Sequence, residues 1–122
     1  MARLALTVQT LLGKYPVTPL VANSADIVWT AAGVDFVDGA SFTLTGEEVL
    51  LVRNDNVGAQ TITIDSVVDP YNRTGNITTY SIGIGEYAAF RLARPGWAQT
   101  NGLLYFAASA ADVFFSVIRL PA

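Results

Sequence analysis

Apolar and polar side chains alternate with a period of two along run after run of this chain, and that period belongs to strands. In Gln60-Thr61-Ile62-Thr63-Ile64-Asp65 the two isoleucines fall on one face and polar residues on the other. Tyr80, Ile82 and Ile84 alternate with Ser81, Gly83 and Gly85, and Phe42 and Leu44 with Ser41, Thr43 and Thr45. A strand sends successive side chains to opposite faces, whereas a helix would repeat every 3.6 residues. Helical periodicity is weak throughout; only the short stretch 107–112 tempts. Turn signals separate the runs: Val37-Asp38-Gly39, Thr45-Gly46-Glu47, 54–58, Asp69-Pro70-Tyr71-Asn72, Thr74-Gly75-Asn76, Gly83-Ile84-Gly85, Arg94-Pro95-Gly96 and Asn101-Gly102. Asn101-Gly102, between Trp97 and Leu103, is a candidate for a type I′ hairpin. Short strands spaced this way predict an all-β fold, a small antiparallel β-sandwich or β-barrel of jelly-roll-like kind.

Three strands are apolar on both faces: Val49-Leu50-Leu51-Val52, Leu103-Leu104-Tyr105-Phe106-Ala107 and Val113-Phe114-Phe115-Ser116-Val117-Ile118. An antiparallel sheet ordinarily leaves one face to water. Double-sided burial in 122 residues therefore calls for cover from outside, which a neighbouring subunit would supply. Charge points the same way. Only 14% of residues are charged, against about 25% in an ordinary soluble domain. A small domain with so few charges must expose apolar surface, and such surface marks contacts.

The first thirty residues differ from the rest. Leu4, Leu6 and Val8 alternate like an edge strand, and Lys14-Tyr15-Pro16-Val17-Thr18-Pro19-Leu20 carries two prolines that suit an extended segment better than a central strand. Residues 1–30 read as a strand and an extended N-terminal arm, and residues 31–122 as one β domain. The arm could be exchanged between subunits or could run as a loop over its own core. The expected interface residues are Leu4, Leu6, Val8, Tyr15, Pro16, Trp97, Phe114 and Ile118. Arg94-Pro95-Gly96-Trp97 is the best single candidate for an exposed contact turn. The opening residues are too short an apolar run for a signal peptide, and no run is long enough to span a bilayer, so a soluble chain without a membrane partner is expected.

The chain has no histidine and no cysteine. Ser-His-Asp and Cys-His arrangements and ordinary zinc sites are thereby excluded, and there are no disulfides. A Ser-Lys pair would need Lys14, the only lysine, in the arm. Carboxylates at Asp35, Asp38, Glu47 and Glu48 show no facing-pair or calcium-loop pattern and read as turn and strand-end residues. Gly83-Ile84-Gly85 lacks the third glycine and the helix of a nucleotide loop. The triplets Asn72-Arg73-Thr74 and Asn76-Ile77-Thr78 match the glycosylation sequon but arise readily in Thr-rich loops. The seven basic residues are scattered and the net charge is −3, which argues against nucleic acid. No catalytic residue, metal or cofactor is expected. Trp29 and Trp97 could stack on sugar, as in a carbohydrate-binding module, but aromatics of this kind ordinarily fill cores and interfaces.

Several blocks, taken together, resemble a known family. Leu6-Thr7-Val8-Gln9-Thr10 opens the chain. Leu50-Leu51-Val52-Arg53-Asn54 is followed by a Gly-containing turn and then by 59–64. The run 81–90 leads to Arg94-Pro95, and Phe114-Phe115-Ser116-Val117-Ile118-Arg119-Leu120 comes near the end. In order and spacing they are similar to the small head-decoration, or capsid-stabilising, proteins of tailed bacteriophages. The stretch 11–35 is longer and richer in proline than that pattern. The resemblance implies a non-enzymatic virion protein on the outer surface of an icosahedral phage head, a homotrimer that clamps the major capsid protein. Another phage role, in the tail or the head-tail joint, is the alternative.

Overall fold

The alternating runs fold into two sheets whose apolar faces meet. The computed structural model describes residues 3–13, 15, 17–22, 25–34, 36–67 and 75–120. Its strands are β1 (Leu4–Ala5), β2 (Gln9–Thr10), β3 (Thr30–Ala31), β4 (Ala40–Thr43), β5 (Glu48–Asn54), β6 (Gln60–Ile64), β7 (Ile77–Ile82), β8 (Tyr87–Phe90), β9 (Leu103–Ala108) and β10 (Val113–Arg119). One sheet has the order β1-β4-β9-β6-β7; the other has β2-β10-β5-β8, with β3 also pairing to β10. The fold is a sandwich-like β fold.

Period two decides what is buried. Glu48, Leu50, Val52 and Asn54 of β5 are buried, while Val49, Leu51 and Arg53 between them are half-buried. In β10, Val113, Phe115 and Val117 point inward and Phe114 and Ile118 outward. Leu104 and Phe106 of β9 and Ile62 and Ile64 of β6 form the opposing layer. Phe106 joins the layers, meeting Phe115 edge-to-face at 4.9 Å and Phe42 at 5.9 Å. Such pairs add about 0.5–1.5 kcal/mol beyond area burial.

Two parts of the predicted architecture need correction. The sheets are mixed, not antiparallel: β1 runs parallel to β4 and β2 parallel to β10. These partners lie far from β1 and β2 in sequence, so no hairpin turn forces an antiparallel pairing. Nor do the described strands close into a barrel. The run from Leu4 to Thr10 passes from one sheet to the other and ties the sandwich along one side. Along the other side β7 and β8 do not pair among the described residues, and Tyr80 meets Phe90 at 5.7 Å.

The turns follow local chemistry. Pro95 (φ −65°, ψ 127°) and Gly96 (φ 95°, ψ −16°) have type II angles within the short helical turn Arg94–Trp97. The Asn101-Gly102 turn is not type I′, because Asn101 keeps a negative φ and only Gly102 is left-handed, at +82°. The Gly102 N–H donates to the Gln99 carbonyl and the Gln99 N–H to the Leu103 carbonyl. These bonds close a tight turn that leads into β9; β8 and β9 lie in different sheets, so the expected hairpin does not form. Residues 107–112, the helical temptation, finish β9 and turn into β10. No helix is long and apolar enough to cross a membrane among the described residues.

Candidate interaction surfaces

The N-terminal run is a clip. Leu4 and Leu6 donate backbone N–H groups to Gly39 and Ser41 on one sheet, and Leu11 donates to Arg119 on the other. Leu4, Leu6 and Val8 are half-buried against the chain's own core. Arg3 lies over the Tyr105 ring at 4.1 Å and pairs with Asp65 at 3.8 Å. It passes beside Gly39, where a Cβ would meet the Arg3 guanidinium and, at 2.9 Å, the Phe106 carbonyl; a φ of +79° also demands glycine there.

Beyond the clip the chain leaves the sandwich and returns at β3. Gln9 pins the base of this excursion: its Nε2 donates to the Asp26 carbonyl at 2.5 Å, and its Oε1 accepts from the Val28 N–H at 3.0 Å. Every described residue from 12 to 28 is exposed. Tyr15 is 95% exposed, Val17 88%, Val21 78% and Val28 65%, with Leu20 and Ile27 above 40%. Clefts of about 150 Å³, against Leu6, Thr30 and Ser116, and about 250 Å³, against Gln9 and Leu12, flank its base. The excursion is thus an apolar loop held at its ends and loosely seated between. Pro16 of the expected interface lies outside the described residues, as do Lys14, Asp35, the 69–72 turn and the sequon at 72–74.

The outward face of the sheet holding β5 and β10 is the second apolar surface. Register sets Phe114 opposite Arg53, and Arg53 opposite Tyr87. Arg53 stacks on Phe114 at 4.5 Å and on Trp29 at 4.9 Å, and pairs with Asp55 at 3.1 Å. Trp29 also meets Tyr87 edge-on at 5.9 Å. Phe114 is therefore half-covered by its own chain, and Ile118 is half-buried at the end of β10. Trp97 is likewise half-buried, packed on the core, and its turn presents Arg94 and Pro95 instead.

The carboxylates divide by burial. Glu47 is exposed and pairs with Arg91 at 3.4 Å. Glu48 is 1% exposed. It accepts from the Thr45 N–H at 2.7 Å, the Thr45 hydroxyl at 2.6 Å, the Gly46 N–H at 3.2 Å and Arg119 Nε at 2.9 Å. Burial is the largest single influence and pushes its pKa up. The hydrogen bonds from Thr45, Arg119 and Gly46 together outweigh burial, and the group titrates below its usual value. With these lone pairs engaged, Glu48 is a structural lock between the 44–47 turn and the end of β10.

Sequence reasoning missed the Arg53 stack, the Glu48 lock and the exposure of Leu20, Val21, Ile27 and Val28. Arg53 keeps phase with Val49 and Leu51, which placed it on their face. Its partners come from β10 and from the segment before β3, and no local pattern names them. No family model, no curated protein and no solved structure matches the chain.

Proposed function

We propose that this chain is a non-enzymatic virion structural protein that binds the outer surface of an icosahedral phage head and stabilises the capsid lattice as a homo-oligomer, a trimer. The observation that carries the reading is the 12–28 loop, where, among the described residues, Tyr15, Val17 and Val21 are more than three-quarters exposed. A loop fixed at its base by Gln9 and carrying several exposed apolar side chains suits a surface that supplies further cover. The low charge content and the block order of the sequence favour a capsid as that surface. Binding only the assembled state stabilises it by mass action, and many such contacts on a lattice add avidity.

The test is co-sedimentation with expanded, empty phage heads, alongside light scattering of the free protein. Saturable binding by an oligomer is the expected result. Tyr15→Ser with Val17→Ser should leave the melting temperature unchanged, since both side chains are exposed. It should weaken capsid retention by about tenfold or more, from the apolar area no longer buried. A monomer that ignores capsids would overturn the reading.

A further inference from the structure

Self-association needs an edge or a face, and the sheet edges differ sharply in what they offer. β1, β2 and β3 are two residues long. β7 is longer, but Thr79 sits at φ +48° in its middle and the pairing with β6 shifts register between Ile62 and Ile64. Such irregularity blocks strand addition. β8 is regular over Tyr87–Phe90, holds an unbroken register with β5, and contains no charge and no proline. Among the described residues no strand pairs with its other side.

The free backbone groups of β8 can be assigned. The Asn54 N–H donates to the Glu86 carbonyl at 3.1 Å, so Glu86, Ala88 and Phe90 face β5. By alternation, Tyr87 and Ala89 direct their N–H and C=O groups to the open edge. We infer that β8 is where two copies of this chain pair, antiparallel about a two-fold axis at Ala88. In that register Tyr87 of one copy opposes Ala89 of the other, and both free residues exchange both bonds. Four backbone hydrogen bonds result, about one two-fold axis.

The side chains agree. Each large residue meets a smaller or flexible one, Tyr87 against Ala89 on the outer face and Phe90 against Glu86 on the inner. Glu86 and Arg91 bound each strand but fall on opposite faces and are engaged within their own copy, Glu86 by the Gly83 N–H and Arg91 by Glu47, so backbone pairing carries the contact. Exposed Tyr80, Ile84 and Tyr87 rim the edge and add apolar area. The joined sheet runs β2-β10-β5-β8 and then the same order reversed. The inference rests on the self-association half of the proposed function and not on the capsid. It adds a two-fold contact to whatever contact closes a trimer.

The chain has no cysteine, so Ala88→Cys introduces a single reporter at the axis. Directly opposed residues of a non-hydrogen-bonded antiparallel pair lie within disulfide reach. Mild oxidation should convert A88C to a covalent dimer. Ala89→Pro removes an outward N–H, which an edge strand tolerates, and Ala89→Lys places a charge on the edge. Each should raise the dissociation constant by about tenfold in sedimentation equilibrium, with the melting curve of A89K as the check on folding. If the wild type is an oligomer that A89P and A89K leave intact and A88C does not cross-link, β8 pairing is refuted and self-association stands. A wild-type monomer with no A88C cross-link refutes both.

Discussion

Replacing Glu48 with glutamine should destabilise the protein by about 3 kcal/mol at neutral pH and should flatten its response to acid. The carboxylate is buried and both its oxygens are engaged, Oε1 by two backbone N–H groups and Oε2 by the Thr45 hydroxyl and Arg119. An amide of the same shape keeps one acceptor but turns an NH₂ donor toward other donors. Removing one partner of a buried ion pair costs about 3–5 kcal/mol. Here Arg119 is 37% exposed and water can solvate it once the charge is gone, which selects the lower end. In a domain of this size that loss lowers the melting temperature by about 10 °C. The pH dependence has a fixed sign. The folded pKa of Glu48 lies below its ordinary value of 4.5. Its contribution is complete above 4.5 and is lost as pH falls through the depressed folded value. Urea unfolding of both proteins at a series of pH values between neutral and acid should show the gap closing below 4.5. An E48Q protein within about 1 kcal/mol of wild type at pH 7, with a parallel acid profile, would refute the assignment of Glu48 as a lock.

Phe106→Ala should cost about 3–5 kcal/mol in urea unfolding, because the ring is fully buried, meets Phe115 across the two layers and packs on Phe42 within its own. A loss under about 1 kcal/mol would mean that the layers do not meet there. Asn54→Asp should show the reverse acid response to Glu48. The Asn54 amide donates to the carbonyls of Gly58, Ile82 and Gly83 at 3.0, 2.9 and 3.2 Å. A carboxylate there faces acceptors, at a cost of about 2–4 kcal/mol, and burial with those neighbours raises its pKa. Stability relative to wild type should therefore recover as the pH falls and the acid gains a proton. Unfolding that shows no recovery would place the Asn54 side chain elsewhere.

The strands were legible where apolar period and burial coincide. At β6 and β4 the residues whose alternation marks one face, Ile62 and Ile64, Phe42 and Leu44, are the ones the core encloses, whereas β5, β9 and β10 are apolar on both faces in sequence. Legibility failed where one run serves two partners. Leu4, Leu6 and Val8 alternate in phase as one edge strand would, yet the run is split between two sheets and pairs in parallel with both. Period two records which side of a chain is apolar, not which chain lies beside it. The same limit explains the outward faces of β5 and β10. Their apolar residues argued for a neighbouring subunit, but Trp29 and Arg53 supply part of that cover from within. The turn at Asn101-Gly102 was recognisable by composition, while its not being a hairpin depended on β8 and β9 lying in different sheets, which local composition does not encode.

What remains uncovered is unevenly placed, and the placement bears on assembly. The 12–28 loop leaves and returns at the edge where β2 and β3 flank β10, while β8 forms the opposite edge of the same sheet. One sheet thus carries two different apolar sites on opposite sides, a loop with Tyr15, Val17 and Val21 largely exposed and an edge complementary to itself. A two-fold contact at β8 alone closes at two copies. A loop that docks on another surface does not compete with it, because the strands β10 and β5 lie between. A subunit with one contact of each kind can link neighbours across a surface as well as adhere to it, and the same variants separate the two acts. A89K should leave loop docking intact while lowering lateral linkage, and Tyr15→Ser with Val17→Ser should do the opposite. If the two sets of variants lost the same activity, the loop and the edge would belong to one interface, and the division of this sheet into two contact sites would be wrong.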